Sequence, residues 1–340
     1  MSDTEEHKHT HAHKHHDALL ENKVLEDGLI HRIVLPLPFP QVRQINAYIV
    51  GRKNYILIDT GIRTDDSYNL LTAYLAANNI RHIDAIYITH GHVDHFGAAQ
   101  KLIRDGIADN KIFIHQKEIA NINNEYDEVL YGNYLKSYGI PQDILEMMRY
   151  ASAFFDTMAD RLGEASFIDH GMRLGYDGGT FEIVRTPGHT SGSVCFYDRE
   201  KGFMLSGDTL LSRLSPNPLL DLNIDGGRRK SLVEYIASLG VLYTMDIKTV
   251  YPGHYEIIAD HKTLIKNLLT FHYKRMMRIH NILQQKPMTP YEITTNLFKR
   301  LQQMDVFLAA SEVIGHLDLL EQHDMVQTFD KDGLLYYRAV

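Results

Sequence analysis

Three imidazoles and a carboxylate crowd into His90-Gly91-His92-Val93-Asp94-His95, and no other stretch restricts the folding of this chain so strongly. Such side chains gain from close approach when they share a bound cation, so the stretch outlines a metal site. The apolar run from Ile83 to Ile88 reads as a buried strand, and Phe96 to Leu102 can start a helix. The cluster is therefore expected on a strand-to-helix loop, where a rigid scaffold presents reactive groups. In an extended segment His90 and His92 point the same way, whereas Asp94 and His95, at a helix start, need not follow them. One pair can serve one ion and the second pair another.

The same arrangement recurs. Phe181 to Arg185 runs into Thr186-Pro187-Gly188-His189, Phe203 to Ser206 into Gly207-Asp208, and Thr249 to Tyr251 into Pro252-Gly253-His254. Each puts a His or Asp just past a strand, in a turn whose glycine permits close approach. Singly these are turn residues or core histidines. Together they make five histidines (His90, His92, His95, His189, His254) and two aspartates (Asp94, Asp208), an inventory suited to two ions. Tyr55 to Ile58 ends likewise in Asp59-Thr60-Gly61, where Asp59 is expected to orient ligands from behind. The single cysteine, Cys195, excludes an intrachain disulfide and a thiolate ligand set, and is expected as a buried structural thiol.

Asp59, the His90/His92/Asp94/His95 cluster, His189, Asp208 and His254 stand in the order of the five motifs of the metallo-β-lactamase superfamily, which the chain resembles over roughly residues 28–256. The resemblance implies an α/β (α+β) fold, a four-layer αββα sandwich with metals at one end of two facing sheets. It implies His90, His92 and His189 around one ion, Asp94, His95 and His254 around the other, and Asp208 bridging them. Flavodiiron proteins of this fold usually carry Glu at the position of His92, so the histidine here points to a zinc-type hydrolase with two divalent ions, Zn2+ being the expected metal. In such enzymes a dication lowers the pKa of its water to about 7. A hydroxide between the ions is then the expected nucleophile, Asp94 a ligand and proton acceptor, and Asp208 the group that sets the spacing.

The remaining chain frames this core. Residues 1–18 form a tail with six histidines (His7, His9, His11, His13, His15, His16), expected to be disordered; loose metal capture is its functional reading and a solvated tail the plainer one. Residues 19–258 form the main domain. Its strands at Leu29 to Leu35, Ile45 to Val50 and Tyr55 to Ile58 read as a meander, with helices at 66–78 and 98–104 and a strand at 111–115. A long helical insertion spans 118–162; Ile144, Met147, Met148, Ala151, Phe155, Met158 and Leu162 give it an apolar stripe that packs on the core or covers a pocket. Residues 259–340 change to helices at 264–285, 293–301 and 307–323, the second introduced by the capping sequence Thr289-Pro290-Tyr291-Glu292. A hairpin at 326–338 closes them, which looks like a winged-helix appendage. Both parts together, with the segment 214–220, resemble the branch around the mitochondrial β-lactamase-like protein 2, which includes an endoribonuclease.

Composition narrows the function classes. With 44% hydrophobic and 23% charged residues the chain reads as soluble and globular, and Lys+Arg 35 against Asp+Glu 43 leaves a net charge of -8 that offers no general attraction to nucleic acid or membrane. It shows no bilayer-spanning apolar stretch and no signal-peptide core, so a cytoplasmic location is expected. A small-molecule carbonyl substrate, whether ester, thioester, lactone or lactam, fits the acidic charge and the apolar insertion. Cleavage of single-stranded RNA is the alternative, drawing on the appendage and on Lys266, Lys274, Arg275 and Arg278. A mononuclear iron dioxygenase acting on a sulfur substrate keeps the same motifs. A metal-binding interaction module is a fourth reading, against which the complete ligand set argues. The appendage is expected to border the pocket or to pair subunits in a homodimer.

Overall fold

The computed structural model describes residues 21–123, 128–222, 227–302 and 305–340, so the expected His-rich tail lies outside the described residues. Strands β1 (Lys23–Leu25), β2 (Ile30–Pro36), β3 (Gln44–Val50), β4 (Ile56–Ile58), β5 (Ala85–Tyr87), β6 (Ile112–Ile114) and β7 (Ser166–Phe167) lie side by side in chain order. The first four are antiparallel, as the meander predicts, and β4 to β7 run parallel. Parallel neighbours need crossovers. These carry helices α1 (Asp65–Ala77), α2 (Val93–Phe96), α3 (Ala99–Arg104), α4 (Ile119–Ile122), α5 (Glu128–Ser137) and α6 (Gln142–Asp156). A second sheet has the order β12-β11-β10-β9-β8. Its strands are β8 (Arg173–Tyr176), β9 (Gly179–Arg185), β10 (Val194–Asp198), β11 (Phe203–Gly207) and β12 (Thr249–Pro252).

Strand periodicity assigns each sheet two buried faces. Val50, Tyr87, Ile183, Phe196, Leu205 and Tyr251 meet in a cluster between the sheets. Their neighbours one residue away face outward. Ile49 and Ile86 pack under Leu71 of α1 and Leu102 of α3. Val184, Cys195, Met204 and Val250 pack under Leu232 and Leu239 of α7 (Ser231–Thr244) and Ile265 of α8 (His261–Leu283). The order is helix, sheet, sheet, helix: the expected four-layer sandwich.

The C-terminal part is helical and ends in a hairpin. Helix α9 (Pro290–Leu297) starts at the predicted capping box, in which Glu292 N donates to Thr289 Oγ1 at 3.2 Å and Thr289 N to Glu292 Oε2 at 2.8 Å. It stops short of the expected residue 301. Helix α10 (Val306–Gln322) buries residues on nearly all its sides, and β13 (Val326–Lys331) pairs with β14 (Leu334–Ala339). Val313, Leu317 and Tyr337 of this part share one continuous cluster with the outer face of the second sheet.

The insertion departs from a continuous helix. Gly139, with φ of +81°, ends the turn after α5, and Pro141 then stands at the N-cap of α6, so the stretch breaks there. Leu135, Ile140, Ile144 and Leu145 pack against Leu220 and against Val306, Ala310 and Ile314 of α10 rather than along the sandwich. After α6 the chain turns back, and Met158 and Leu162 enter the core beside the first sheet from outside any helix. Among the described residues no helix is long and apolar enough to cross a membrane.

Candidate metal centre

Four strand-end turns bring the expected ligands together. Strand β4 ends in Asp59, held at φ 56° and almost fully buried. Its Oδ1 accepts from Thr89 N at 2.9 Å and its Oδ2 from Thr89 Oγ1 at 2.8 Å, which fixes the loop after β5. Asp59 Oδ2 also lies 2.7 Å from His95 Nδ1. The imidazole is thereby turned so that Nε2 points into the centre. Two other histidines are held in the same manner: His189 Nδ1 donates to Asn217 O at 2.9 Å, and His254 Nδ1 to Gln44 O at 2.6 Å. A carbonyl only accepts, so in both Nδ1 is committed outward and Nε2 is the nitrogen that faces the centre.

His90 Nε2 and His189 Nε2 each lie 3.0 Å from His92 Nδ1. These three form one compact triad, and Asp94, His95 and His254 form another; within each, the ligand atoms lie within 4.8 Å of one another. Asp208 stands between them. Its Oδ2 is 3.7 Å from His189 Nε2 and 3.5 Å from His254 Nε2, and its Oδ1 is 3.4 Å from His95 Nε2. Asp94 Oδ2 reaches His254 Nε2 at 3.3 Å and His95 Nε2 at 3.8 Å. Gly253 is required here, because a Cβ would lie 2.6 Å from Asp208 Oδ1.

The residues fit a metal. Among the described residues buried His95 Nε2 and Asp208 Oδ1 have no hydrogen-bond partner and meet each other only as an ion pair at 3.4 Å, an incomplete pairing that a cation would complete. The nitrogen separations within the first triad approach the roughly 3.3 Å expected for two nitrogens about 2.05 Å from a tetrahedral ion. Electrostatics divide the triads. Burial and the surrounding imidazoles push His90 well below its ordinary value, burial leads in taking His92 down to about 3, and His189 is lowered too. Lone pairs are thus available. In the second triad burial opposes the charge on His254, but Asp208 and Asp94 outweigh it and lift the group to about 10, and carboxylates likewise hold His95 well above its ordinary value. Burial works against the Asp94 carboxylate as well, yet His95 and His254 bring it down to about 2. The carboxylates of Asp94 and Asp208, which help to hold protons on His95 and His254 in this way, are suited to attract dications instead.

Sequence reasoning brought all seven expected ligands and Asp59 into view, and the fold gathers them at one place. It missed two supports. Glu118 is fully buried; its Oε2 accepts from Gly91 N at 2.6 Å and its Oε1 from Gly192 N, joining the loop of His90 and His92 to that of His189. A lone Glu opening a helical stretch carries no pattern that would reveal this. Arg229 is also buried and donates to Gly188 O at 2.7 Å, just before His189. Cys195 is buried on β10 as expected, with burial raising its thiol to about 11.

The Metallo-beta-lactamase superfamily model matches residues 40–254. The chain belongs to this superfamily. It is 29% identical over 320 residues to the probable metallo-hydrolase YqjP of Bacillus subtilis (strain 168), covering 91% of this chain and 97% of that protein. The Beta-lactamase-like protein 2 homolog of Caenorhabditis elegans is 25% identical over 77% of this chain and 73% of its own length. The Atrochrysone carboxyl ACP thioesterase of Aspergillus fumigatus is 24% identical over 72% of this chain and 63% of its own. A Beta-lactamase domain protein from Burkholderia ambifaria shares the fold across 95% of both chains, with a TM-score of 0.83 at 21% identity. The likeness in fold therefore extends through the C-terminal helices.

Proposed function

We propose that this metal-dependent hydrolase of the metallo-beta-lactamase superfamily holds two divalent ions, Zn2+ as the resident metal, and cleaves a carbonyl substrate, a thioester before an ester, lactone or lactam. The observation that carries the binuclear reading is Asp208, set between two triads with oxygens facing both. His90, His92 and His189 would hold one ion, Asp94, His95 and His254 the other. When bound, such ions supply a water acidified towards neutrality and polarise the carbonyl under attack. The protein's own groups do the rest. Asp94 is ionised at neutral pH beside His254, which supports the role proposed for it of taking up a proton at Oδ2. Asp59, Gln44 and Asn217 keep three imidazoles aimed, so no reorganisation is needed during turnover.

The thioester reading draws support from the name of the fungal relative and from the aromatic side chains that α6 leaves exposed. Phe154 is 55% exposed, and Phe155 stacks edge-on against Phe39 with centroids 5.4 Å apart. An acyl chain could lie along such rings. The RNA alternative has a weaker basis, because Lys266 lies over the Tyr243 ring and Arg275 between Phe271 and Phe298. Metal analysis combined with a panel of acyl thioester, lactone, β-lactam and single-stranded RNA tests the reading. Two Zn2+ in this centre with thioester turnover is the expected result; one iron with oxygen consumption, or RNA as the only substrate cleaved, would overturn it.

A further inference from the structure

Away from the centre, the described residues bring together one more set of ligand-type side chains: His272 on α8 with Glu312 and His316 on α10. Glu312 and His316 are four residues apart and share a helix face, and His272 meets them from the neighbouring helix. Both imidazoles are buried. His316 Nδ1 donates to Glu312 O at 2.7 Å, so its proton sits on Nδ1 and Nε2 keeps a lone pair. His272 Nε2 lies 2.9 Å from Ser215 Oγ, an acceptor for a proton on that nitrogen, which leaves the lone pair on Nδ1. These two inner nitrogens are 3.2 Å apart. Two nitrogens about 2.05 Å from one tetrahedral ion are roughly 3.3 Å apart. The third donor, Glu312 Oε1, is buried without a hydrogen-bond partner among the described residues and has a loose ion-pair contact, 3.8 Å, to His316 Nδ1.

We propose that His272, His316 and Glu312 form a third, structural site for a borderline transition dication of the Zn2+ type, bound between α8 and α10. Two imidazoles and one carboxylate suit zinc and its neighbours rather than Ca2+ or Mg2+, which require mostly oxygen ligands. An outer hydrogen bond on each imidazole is the arrangement that fixes tautomer and ring angle at a metal. Burial keeps His272 down at about 4 and His316 at about 3, so neither carries a proton that an ion would have to displace at neutral pH. Burial also raises the Glu312 carboxyl, against the pull of His272 and Arg275, and a dication would favour its charged form. The same atoms could instead form a metal-free chain, Ser215 Oγ–H to His272 and His272 Nδ1–H to His316 Nε2. That chain leaves Glu312 Oε1 unsatisfied. The site would tie α8 to α10 and, through Ser215, lie two residues from Asn217, whose carbonyl orients His189.

The test is zinc content of the full-length protein after loading and gel filtration, read as the difference between parent and variant so that the tail histidines cancel. Thermal midpoints with Zn2+ and with chelator are recorded in parallel. His316→Gln and Glu312→Gln are each expected to lose one equivalent of Zn2+ and part of the metal-dependent rise in midpoint. His92→Gln, which disturbs only the other centre, should keep this equivalent. Glu312→Gln preserves side-chain shape, so it decides the matter if His316→Gln does not fold. Unchanged zinc content in Glu312→Gln would overturn the proposal and leave the hydrogen-bonded imidazole chain.

Discussion

Asp59 binds no ion in the proposed arrangement, yet it contacts His95 and both the amide and the hydroxyl of Thr89. Partners that orient a ligand in this way typically contribute 10- to 100-fold to metal affinity. Asp59→Asn is therefore expected to weaken the ion held by Asp94, His95 and His254 by about 10- to 100-fold, and to leave the other ion nearly unaffected; competition with a chromophoric chelator separates the two. Asp94→Asn should fold normally and lose turnover, because it removes a charged ligand and a proton acceptor together; full activity on a confirmed substrate would exclude that role. The second triad also predicts a pH effect. In the metal-free protein His254 is raised from 6.5 to about 10 by Asp208 and Asp94, against its burial. A raised group stabilises the fold fully below its unfolded value and loses that contribution as pH rises through the folded value. The thermal midpoint in chelator should consequently fall between about pH 6.5 and 10, relative to the zinc-loaded protein, where the ion replaces the proton. Parallel pH profiles with and without zinc would remove His254 from the binding set. Asp59 and the seven ligands were legible in the sequence because each sits in a short turn after an apolar run. Glu118 and the His272/His316 pair were not, since their partners are 74 and 44 residues away and no local pattern marks them.

At the scale of elements, the strands were readable from short apolar runs and the ends of helices from their breakers. The capping box at Thr289 is the clearest case: the four residues announced the start of α9, and both reciprocal hydrogen bonds are present. Thr289→Ala should cost about 1 kcal/mol of stability, measurable by denaturant titration; a change below a few tenths would mean that tertiary packing alone sets this helix start. The insertion was harder to read. Its apolar stripe suggested one long helix on the domain, but apolar spacing cannot say which neighbour a face will meet. Gly139 and Pro141 redirect the chain, so α6 buries Ile144 and Leu145 against α10, which follows more than a hundred residues later. The segment after α6 then returns to the centre's border, where Met158 O accepts from Arg63 N at 2.8 Å, four residues beyond Asp59. If α6 binds an acyl chain, Phe154→Ser should raise KM for a long-chain thioester several-fold and leave a short acetyl thioester unaffected. Equal effects on both would remove the chain-binding role.

Across the whole molecule the same contacts argue that the sandwich and the C-terminal helices act as one folding unit. The outer face of the second sheet is covered by α7 and α8, and the apolar cluster continues through Ile293, Val313 and Leu317 to Tyr337. A second connection runs from the insertion to Val306, Ala310 and Ile314. The ion pair of Arg228 with Asp318, and the hydrogen bond from Asn217 Nδ2 to Leu308 O at 2.8 Å, then tie the segment that orients His189 to α10. Gly315 lets α10 approach closely, since a Cβ there would lie 2.9 Å from Leu232 Cβ on α7. A boundary near residue 258 follows from the change to helices in the sequence, but the buried surface does not divide there. Removing the residues after 258 would expose the sheet face and α7, and would release the Asn217 carbonyl that positions a proposed ligand. The fragment ending at residue 258 is expected to be poorly soluble or to bind a hydrophobic dye, and to lose zinc from the His189 triad. In the full chain, calorimetry should show a single cooperative transition, with sandwich and C-terminal part unfolding together. Two separated transitions, or a soluble fragment that keeps its zinc, would instead establish the C-terminal helices as an independent domain.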